Sequence, residues 1–106
     1  MTIFTHTLEN ESYDGIITEI RYIVATARAN ERELLSIKLD SSDKISKSLS
    51  MLIKALRLMK KEGKIDFFAS IEDFALGNAE ASYLMNKFPD ITDKLDTEKS
   101  TFIIKV

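Results

Sequence analysis

The apolar residues of this chain recur with two different periods, and the switches between the periods divide the chain into elements. Alternation at every second residue predicts a strand, and recurrence every three to four residues predicts a helix. The two patterns follow one another in the order βαβαβαβ. The alternating segments are 2–8, 33–39, 65–71 and 100–106, and the helical segments are 13–29, 42–63 and 78–88.

The central segment, residues 33–70, is typical of a strand, a serine-rich turn, a long helix and a second strand. Two strands joined by a helical crossover run parallel, because the helix returns the chain to the end at which the first strand began. Strands covered on both faces are usually apolar throughout, whereas Leu35, Ile37 and Leu39 alternate with a partly polar set. We therefore expect a two-layer fold. The core is predicted to contain Ile20, Ile37, Leu52, Phe67 and Phe102.

The central helix has a wider apolar surface than one sheet needs. Its main stripe consists of residues at helical spacing: Ile45, Leu49, Leu52, Ile53, Leu56 and Met59. Met51 and Leu58 form a second apolar strip beside the lysines of the opposite side. Phe68 and Ile103 add apolar side chains on the other face of the predicted sheet. These positions predict a surface that contacts a protein partner or a second copy of the chain.

Length and composition define the class of protein. The chain has 106 residues, 44% hydrophobic and 30% charged, which suits one globular α/β domain spanning 1–106 with a four-stranded, mostly parallel or mixed sheet. A net charge of −2 gives no electrostatic reason to expect nucleic acid. No apolar run approaches the ~20 residues that span a bilayer, so no membrane segment is expected. The absence of cysteine fits a cytoplasmic protein.

Residues with catalytic or ligand chemistry are scattered along the chain. His6 is the only histidine and there are no cysteines, so a zinc site of the usual kind has no ligand set. The acidic pairs Glu9 with Glu11 and Glu72 with Asp73 stand at element ends, where such residues cap helices. The three glycines are isolated and form no phosphate loop. We therefore expect no catalytic, metal-binding or cofactor-binding residues and no enzymatic activity.

An amphipathic first helix is followed by the segments LLSIKLD, SLSMLIKALRLMKKEGK and IDFFAS. In this succession residues 13–88 resemble the STAS domain, the fold of anti-sigma-factor antagonists and related bacterial regulators. In that family an Asp-Ser-Ser-Gly-Leu motif with a phosphorylated serine opens the central helix. Aligned through the helix, Ser46 takes the position of that serine; aligned through the preceding strand, Lys47 takes it. Ile45 and Ser48 stand where the family has Asp and Gly. The resemblance implies a bacterial-type regulator whose protein partner binds at residues 40–49.

Two classes of function fit the sequence. The first is a small, non-enzymatic, STAS-like regulatory domain that binds a protein partner or forms a homodimer. Its partner-binding candidates are Asp40, Ser46, Lys47, Ser48, Met51 and Leu58. The alternative is a small ligand-binding domain or enzyme whose site lies at the carboxyl ends of the parallel strands. We favour the first class, because the chain supplies serines and apolar strips but no convergent polar set.

Overall fold

The computed structural model describes residues 3–39, 45–94 and 101–106 of the chain. The strands are β1 (Ile3–Leu8), β2 (Leu34–Leu39), β3 (Phe67–Ser70) and β4 (Thr101–Lys105). The helical segments are α1 (Tyr13–Ala29), α2 (Ile45–Lys61), α3 (Ile71–Leu76), α4 (Ala79–Lys87) and α5 (Ile91–Lys94). The predicted α/β class and the alternation of strands and helices are confirmed. The last predicted helix corresponds to α4, and the short segments α3 and α5 flank it.

The four strands form one mixed sheet in the order β1-β2-β4-β3. β1 and β2 pair in parallel along the whole of β1, from Ile3 opposite Leu34 to Leu8 opposite Leu39. β4 lies between β2 and β3 and pairs antiparallel with both. β2 and β3 therefore point the same way, as the helical crossover between them predicts, but the last strand separates them.

α1 and α2 pack on the same face of the sheet. Each helix leads from one strand to a parallel strand further across the sheet in the same direction, and right-handed crossovers then place both helices on one side. Their side chains and those of the sheet form one buried cluster, which we call the α1–α2 core. The predicted core residues that belong to it are Ile20, Ile37, Leu52 and Phe102.

The opposite face of the sheet is also covered over part of its width, so the predicted two-layer fold is wrong. A second buried cluster, which we call the α4 core, consists of Leu34, Ala69, Ala81, Leu84, Phe88, Ile91 and Ile103. Ser36 of β2 is buried as well. The polar residues of β2 therefore do not mark a wet face. The segment between β3 and β4 folds over that side instead, and the fold has three layers.

Phe67 lies outside the α1–α2 core, contrary to the prediction, and Phe68 packs against that core instead. The prediction assumed unbroken alternation from Ile65 through Phe67. The structure has a bend at Asp66, and β3 begins only at Phe67. Ile65 is buried in the α1–α2 core from the loop before the strand. The strand is therefore offset by one residue, which moves each side chain to the opposite face.

The third predicted helix, 78–88, corresponds to α4, and Gly77 separates it from the short α3. Asn78 caps α4, as the sequence predicts, and Ser70 begins α3 with a reciprocal pair of hydrogen bonds to Asp73 that was not predicted. Gly77 has φ 68°, a left-handed conformation that glycine adopts at little cost. The helical pattern places Met85 on one face with Leu84 and Phe88, yet Met85 is 37% exposed whereas the other two are buried.

The ends of α1 match the caps expected from the sequence. The Ser12 hydroxyl accepts a hydrogen bond from the backbone N–H of Gly15 at 3.1 Å, and Asn30 follows the last turn. Beyond α2, Gly63 adopts φ 75°, in agreement with its predicted place after that helix. The cap expected for the start of α2, at positions 42–43, lies outside the described residues.

Candidate functional site

β1 forms one edge of the sheet, and within the described residues no strand lies on its outer side. Its sequence, Ile-Phe-Thr-His-Thr-Leu, contains no proline and no Asp, Glu, Lys or Arg. Thr5 and Thr7 are exposed. The pairing with β2 runs through the strand without a bulge. An edge of this kind presents outward N–H and C=O groups to which another strand can add.

One face of the sheet is uncovered beside β1. Ile3, Thr5 and Thr7 point to the side that carries the α4 core further along the sheet. Ile3 packs against that core and is half-buried, whereas Thr5 and Thr7 are exposed. The helices of the third layer therefore cover the β4 and β3 side of this face and leave the β1 side accessible.

The other face of β1 lies under α1, where His6 and Glu19 form a close pair. His6 Nε2 and Glu19 Oε2 are 2.5 Å apart, and only 9% of the Glu19 side chain is exposed. Glu19 also accepts hydrogen bonds from the backbone N–H groups of Glu9 and Asn10, each at 2.9 Å, and from Asn10 Nδ2 at 2.6 Å. A single carboxylate thus fastens the β1–α1 loop to the middle of α1.

These contacts determine the charge state of Glu19. Burial alone raises the pKa of its carboxyl, but the hydrogen bonds from His6, from the Asn10 side chain and from the backbone of Glu9 and Asn10 outweigh burial. The pKa is therefore lowered from the ordinary value of 4.5. Glu19 is a carboxylate at neutral pH, with both oxygens used to hold the loop.

Gly15 allows the loop to approach α1 closely. A Cβ at this position would stand 2.8 Å from Asn10 Oδ1 and 2.9 Å from Ser12 Oγ, closer than side-chain atoms normally pack. Glycine at this point in the first turn therefore accommodates the Asn10 side chain that reaches Glu19. The glycine contributes close approach, and its backbone is ordinary helix.

A shallow depression of about 610 Å³ lies between β1 and α1 at this edge. His6 lines it from the strand, and Asp14, Thr18 and Tyr22 line it from the helix. Tyr22 is 73% exposed, as its position off the buried stripe of α1 predicts. An aromatic ring with a hydroxyl, held beside an open strand, is a typical contact residue of protein interfaces.

The opposite edge, β3, is built differently. It has four residues, and Lys60 of α2 lies 5.6 Å from the ring centre of Phe67 and 5.9 Å from that of Phe68. The Lys60 ammonium also pairs with Glu80 of α4. The Tyr83 ring packs on Phe67 with centroids 4.8 Å apart. Side chains from the helices of both faces thus meet across β3 and cover its end.

A second cavity, of about 300 Å³, lies at the carboxyl end of β3 beside Ser70 and Asp73, and no described residue of β1 or β2 lines it. The hydroxyl and carboxylate of those residues are used in the cap of α3. Thr101 Oγ1, at the start of β4, is buried without a hydrogen-bond partner among the described residues. The described side chains bring no three His, Asp or Glu residues together as metal ligands. No helix in the same part of the chain is both long and apolar enough to cross a bilayer.

The candidates identified from the sequence that belong to α2 lie on a different element from the β1 edge. Asp40 falls outside the described residues. Ser46, Lys47 and Ser48 stand in the first turn of α2, and their side chains are likewise outside the described part. Met51 packs against the α1–α2 core and is half-buried, and Leu58 is also half-buried. Ile103, expected on an accessible apolar face, is fully buried in the α4 core.

A comparison with protein-family models, curated proteins and solved structures finds no match to this chain. Sequence reasoning did not identify the β1 edge, although the sequence contains a signal for it. Of the four described strands, β2 and β4 each contain a lysine, whereas β1 and the shorter β3 contain no Asp, Glu, Lys or Arg.

Proposed function

We propose that this chain is a small, non-enzymatic interaction domain that binds an extended segment of a protein partner along β1. The observation that carries the proposal is the open edge itself, six residues long, uncharged and without a bulge. Strand addition at such an edge gives affinity through main-chain hydrogen bonds, which any extended segment can form. The same edge is a hazard in a protein that does not use it, and natural sheets usually protect it.

The surroundings of β1 supply the means of selecting a partner. Alternate side chains of an added strand point to opposite faces of the sheet. On one face they would meet the depression beside His6 and Tyr22, and on the other they would lie beside Thr5 and Thr7. A partner strand with one aromatic or aliphatic series and one small, polar series suits this arrangement.

The non-enzymatic character of the proposal is supported by the His6–Glu19 pair. A general base needs a carboxylate or imidazole with a free acceptor directed at the substrate. Both oxygens of Glu19 are instead held by His6 and by the loop residues Glu9 and Asn10. The pair is explained as an anchor that fixes the loop next to the docking edge.

A regulatory role of the STAS type is part of the same proposal. It is supported by the succession of elements and by the position of Ser46 and Ser48 in the first turn of α2. A phosphate group near a helix N-terminus is stabilised by free backbone N–H groups and by the helix dipole. Modification there would alter the charge at the end of the sheet where the β1–α1 loop also lies.

Photo-cross-linking in cells that produce the protein tests the proposal. A photoreactive amino acid is placed at Thr7 on β1 or, as the control, at Asn86 on α4, since both side chains are exposed. We expect a cross-linked protein product from position 7 and none of the same mass from position 86. No product from position 7, or the same product from both positions, would contradict docking at β1.

A further inference from the structure

The charge of the β1 edge points to one particular occupant. We infer that β1 pairs with β1 of a second copy of this chain, antiparallel and about a twofold axis, so that two sheets join into one. This inference rests on the proposed function, because it names the partner of the same edge.

The residues of β1 allow two copies of the strand to lie side by side without repulsion between like charges. A twofold axis through a strand pair brings each residue near its own counterpart, and like charges opposite each other are destabilising. β1 contains no Asp, Glu, Lys or Arg, and its His6 pairs with Glu19 of α1, so no like-charged pair of these residue types meets across the axis. Pairing about Thr5 sets Thr5 opposite Thr5 and Ile3 opposite Thr7 of the other copy, and threonine pairs across strands are favourable.

The acidic residues that follow β1 favour antiparallel over parallel pairing of the two strands. The loop after β1 and the first turn of α1 are acidic and exposed, with Glu9 and Glu11 in the loop and Asp14 in the helix. A parallel arrangement would place the two acidic loops side by side. Antiparallel pairing sets them at opposite ends of the six-residue strand, about 20 Å apart at ~3.4 Å per residue. That separation exceeds the screening length of roughly 8 Å at physiological ionic strength.

The exposed side chain of Tyr22 lies beside the β1 edge and can contribute to a contact between two copies. Tyr22 stands on α1 above β1 with 73% of its surface exposed and lines the same depression as His6. A twofold axis perpendicular to the sheet keeps the α1 helices of both copies on one side. Each Tyr22 then faces the neighbouring copy across the joint, where burial of its ring adds apolar contact to the main-chain hydrogen bonds.

Sedimentation of the purified full chain over a wide concentration series tests the inference. The variants are T5K and T5E on β1, with N86K on α4 as a control of equal charge change to T5K. Wild type and N86K are expected to form dimers as concentration rises, whereas T5K and T5E each stay monomeric. An equimolar mixture of T5K and T5E is expected to recover the dimer, because Lys and Glu then lie on opposite sides of the joint.

Three outcomes would overturn the inference. Wild type that stays monomeric at every concentration would rule out a second copy as the partner of β1. In that case a cross-linked product between position 7 and another protein would still support the proposed function. Dimers that persist unchanged in T5K and T5E place the interface elsewhere on the molecule. A mixture of T5K and T5E that stays monomeric contradicts the twofold pairing about Thr5. Thermal midpoints equal to that of wild type, measured at a dilution where wild type is monomeric, show that each variant is folded, because dimerisation itself raises the midpoint.

Discussion

The two edges of this sheet differ in the way they meet solvent. β3 is four residues long, and Lys60, Glu80 and Tyr83 from the helices on both faces close over its end. β1 is six residues long, has a helix on one face only, and exposes Thr5 and Thr7 on the other. The same chain therefore contains a protected edge and an unprotected one. The open edge at β1 is the feature on which the proposed docking function rests.

The two helical layers account for the difference. The α1–α2 core runs under the full width of the sheet, from Phe4 and Leu8 on β1 to Phe68 on β3. The α4 core draws on β2, β3 and β4 and reaches β1 only through the half-buried Ile3. Side chains from both layers therefore reach the β3 edge, whereas the α4 core extends no further than Ile3 on the β1 side.

The largest loss of stability is expected from a substitution in the α4 core, which covers the β3 and β4 side of its face of the sheet and leaves the β1 side open. Leu84→Ala removes a fully buried side chain of the α4 core and should lower the free energy of unfolding by about 2–5 kcal/mol. Thr5→Ala lies on the same face of the sheet but is exposed, and should change it by less than about 0.5 kcal/mol. Urea unfolding midpoints measure both. A loss at Thr5 as large as that at Leu84 would mean that the β1 side is covered.

A smaller loss is expected from the anchor beside β1. Glu19→Ala leaves the N–H groups of Glu9 and Asn10 without their acceptor, which should cost about 1–3 kcal/mol of unfolding free energy. Glu9→Ala is the control, because it removes a neighbouring exposed carboxylate and keeps the backbone N–H. Equal midpoints for the two variants in chemical denaturation would argue against Glu19 as the anchor.

The same residue predicts a pH dependence with a defined sign. The pKa of Glu19 is lower in the folded chain than its ordinary value of 4.5. Its contribution is therefore fully present above the ordinary pKa and is lost as pH falls through the lowered pKa. The stability difference between wild type and Glu19→Gln should shrink as the pH is lowered from neutral into the acid range below that value. A difference that grows on acidification would reverse the assigned direction.

The smallest effect is expected at the closed edge. Lys60→Ala removes an exposed ion pair and a cation–aromatic contact, which together contribute about 0.5–1 kcal/mol. Lys61→Ala is the matched control, since Lys61 is the exposed neighbour on α2. Stability measured at low and high salt should separate the two, with salt reducing only the Lys60 effect. Indistinguishable variants would show that the Lys60 bridge adds nothing to the closure of β3.

Local patterns in the sequence predicted the elements but not their arrangement. The Ser12 cap and the apolar stripe of α1 define that helix, because both depend on neighbouring residues only. The place of β4 between β2 and β3 depends on pairing between distant segments, which periodicity does not encode. Ser36 was expected on a wet face because it is polar, yet a distant segment of the chain buries it.

The site was less predictable than the fold for the same reason. An edge strand differs from a central one only in its neighbours, so β1 could not be recognised as an edge before the strand order was known. The His6–Glu19 contact joins residues on different elements and depends on how α1 lies across β1. The absence of Asp, Glu, Lys and Arg from β1 was visible in the sequence, but it indicates an unprotected strand only where that strand lies at the edge of a sheet.

Residue-resolved amide hydrogen exchange, compared between dilute and concentrated protein, tests most directly whether β1 is the docking edge. The outward amides of Ile3–Leu8, at every second residue, should exchange more slowly as concentration rises. The amides of Phe67–Ser70 on the covered edge should exchange at the same rate in both samples. Slower exchange at β3, or no change at β1, would contradict the assignment of β1 as the open edge that pairs with a second copy.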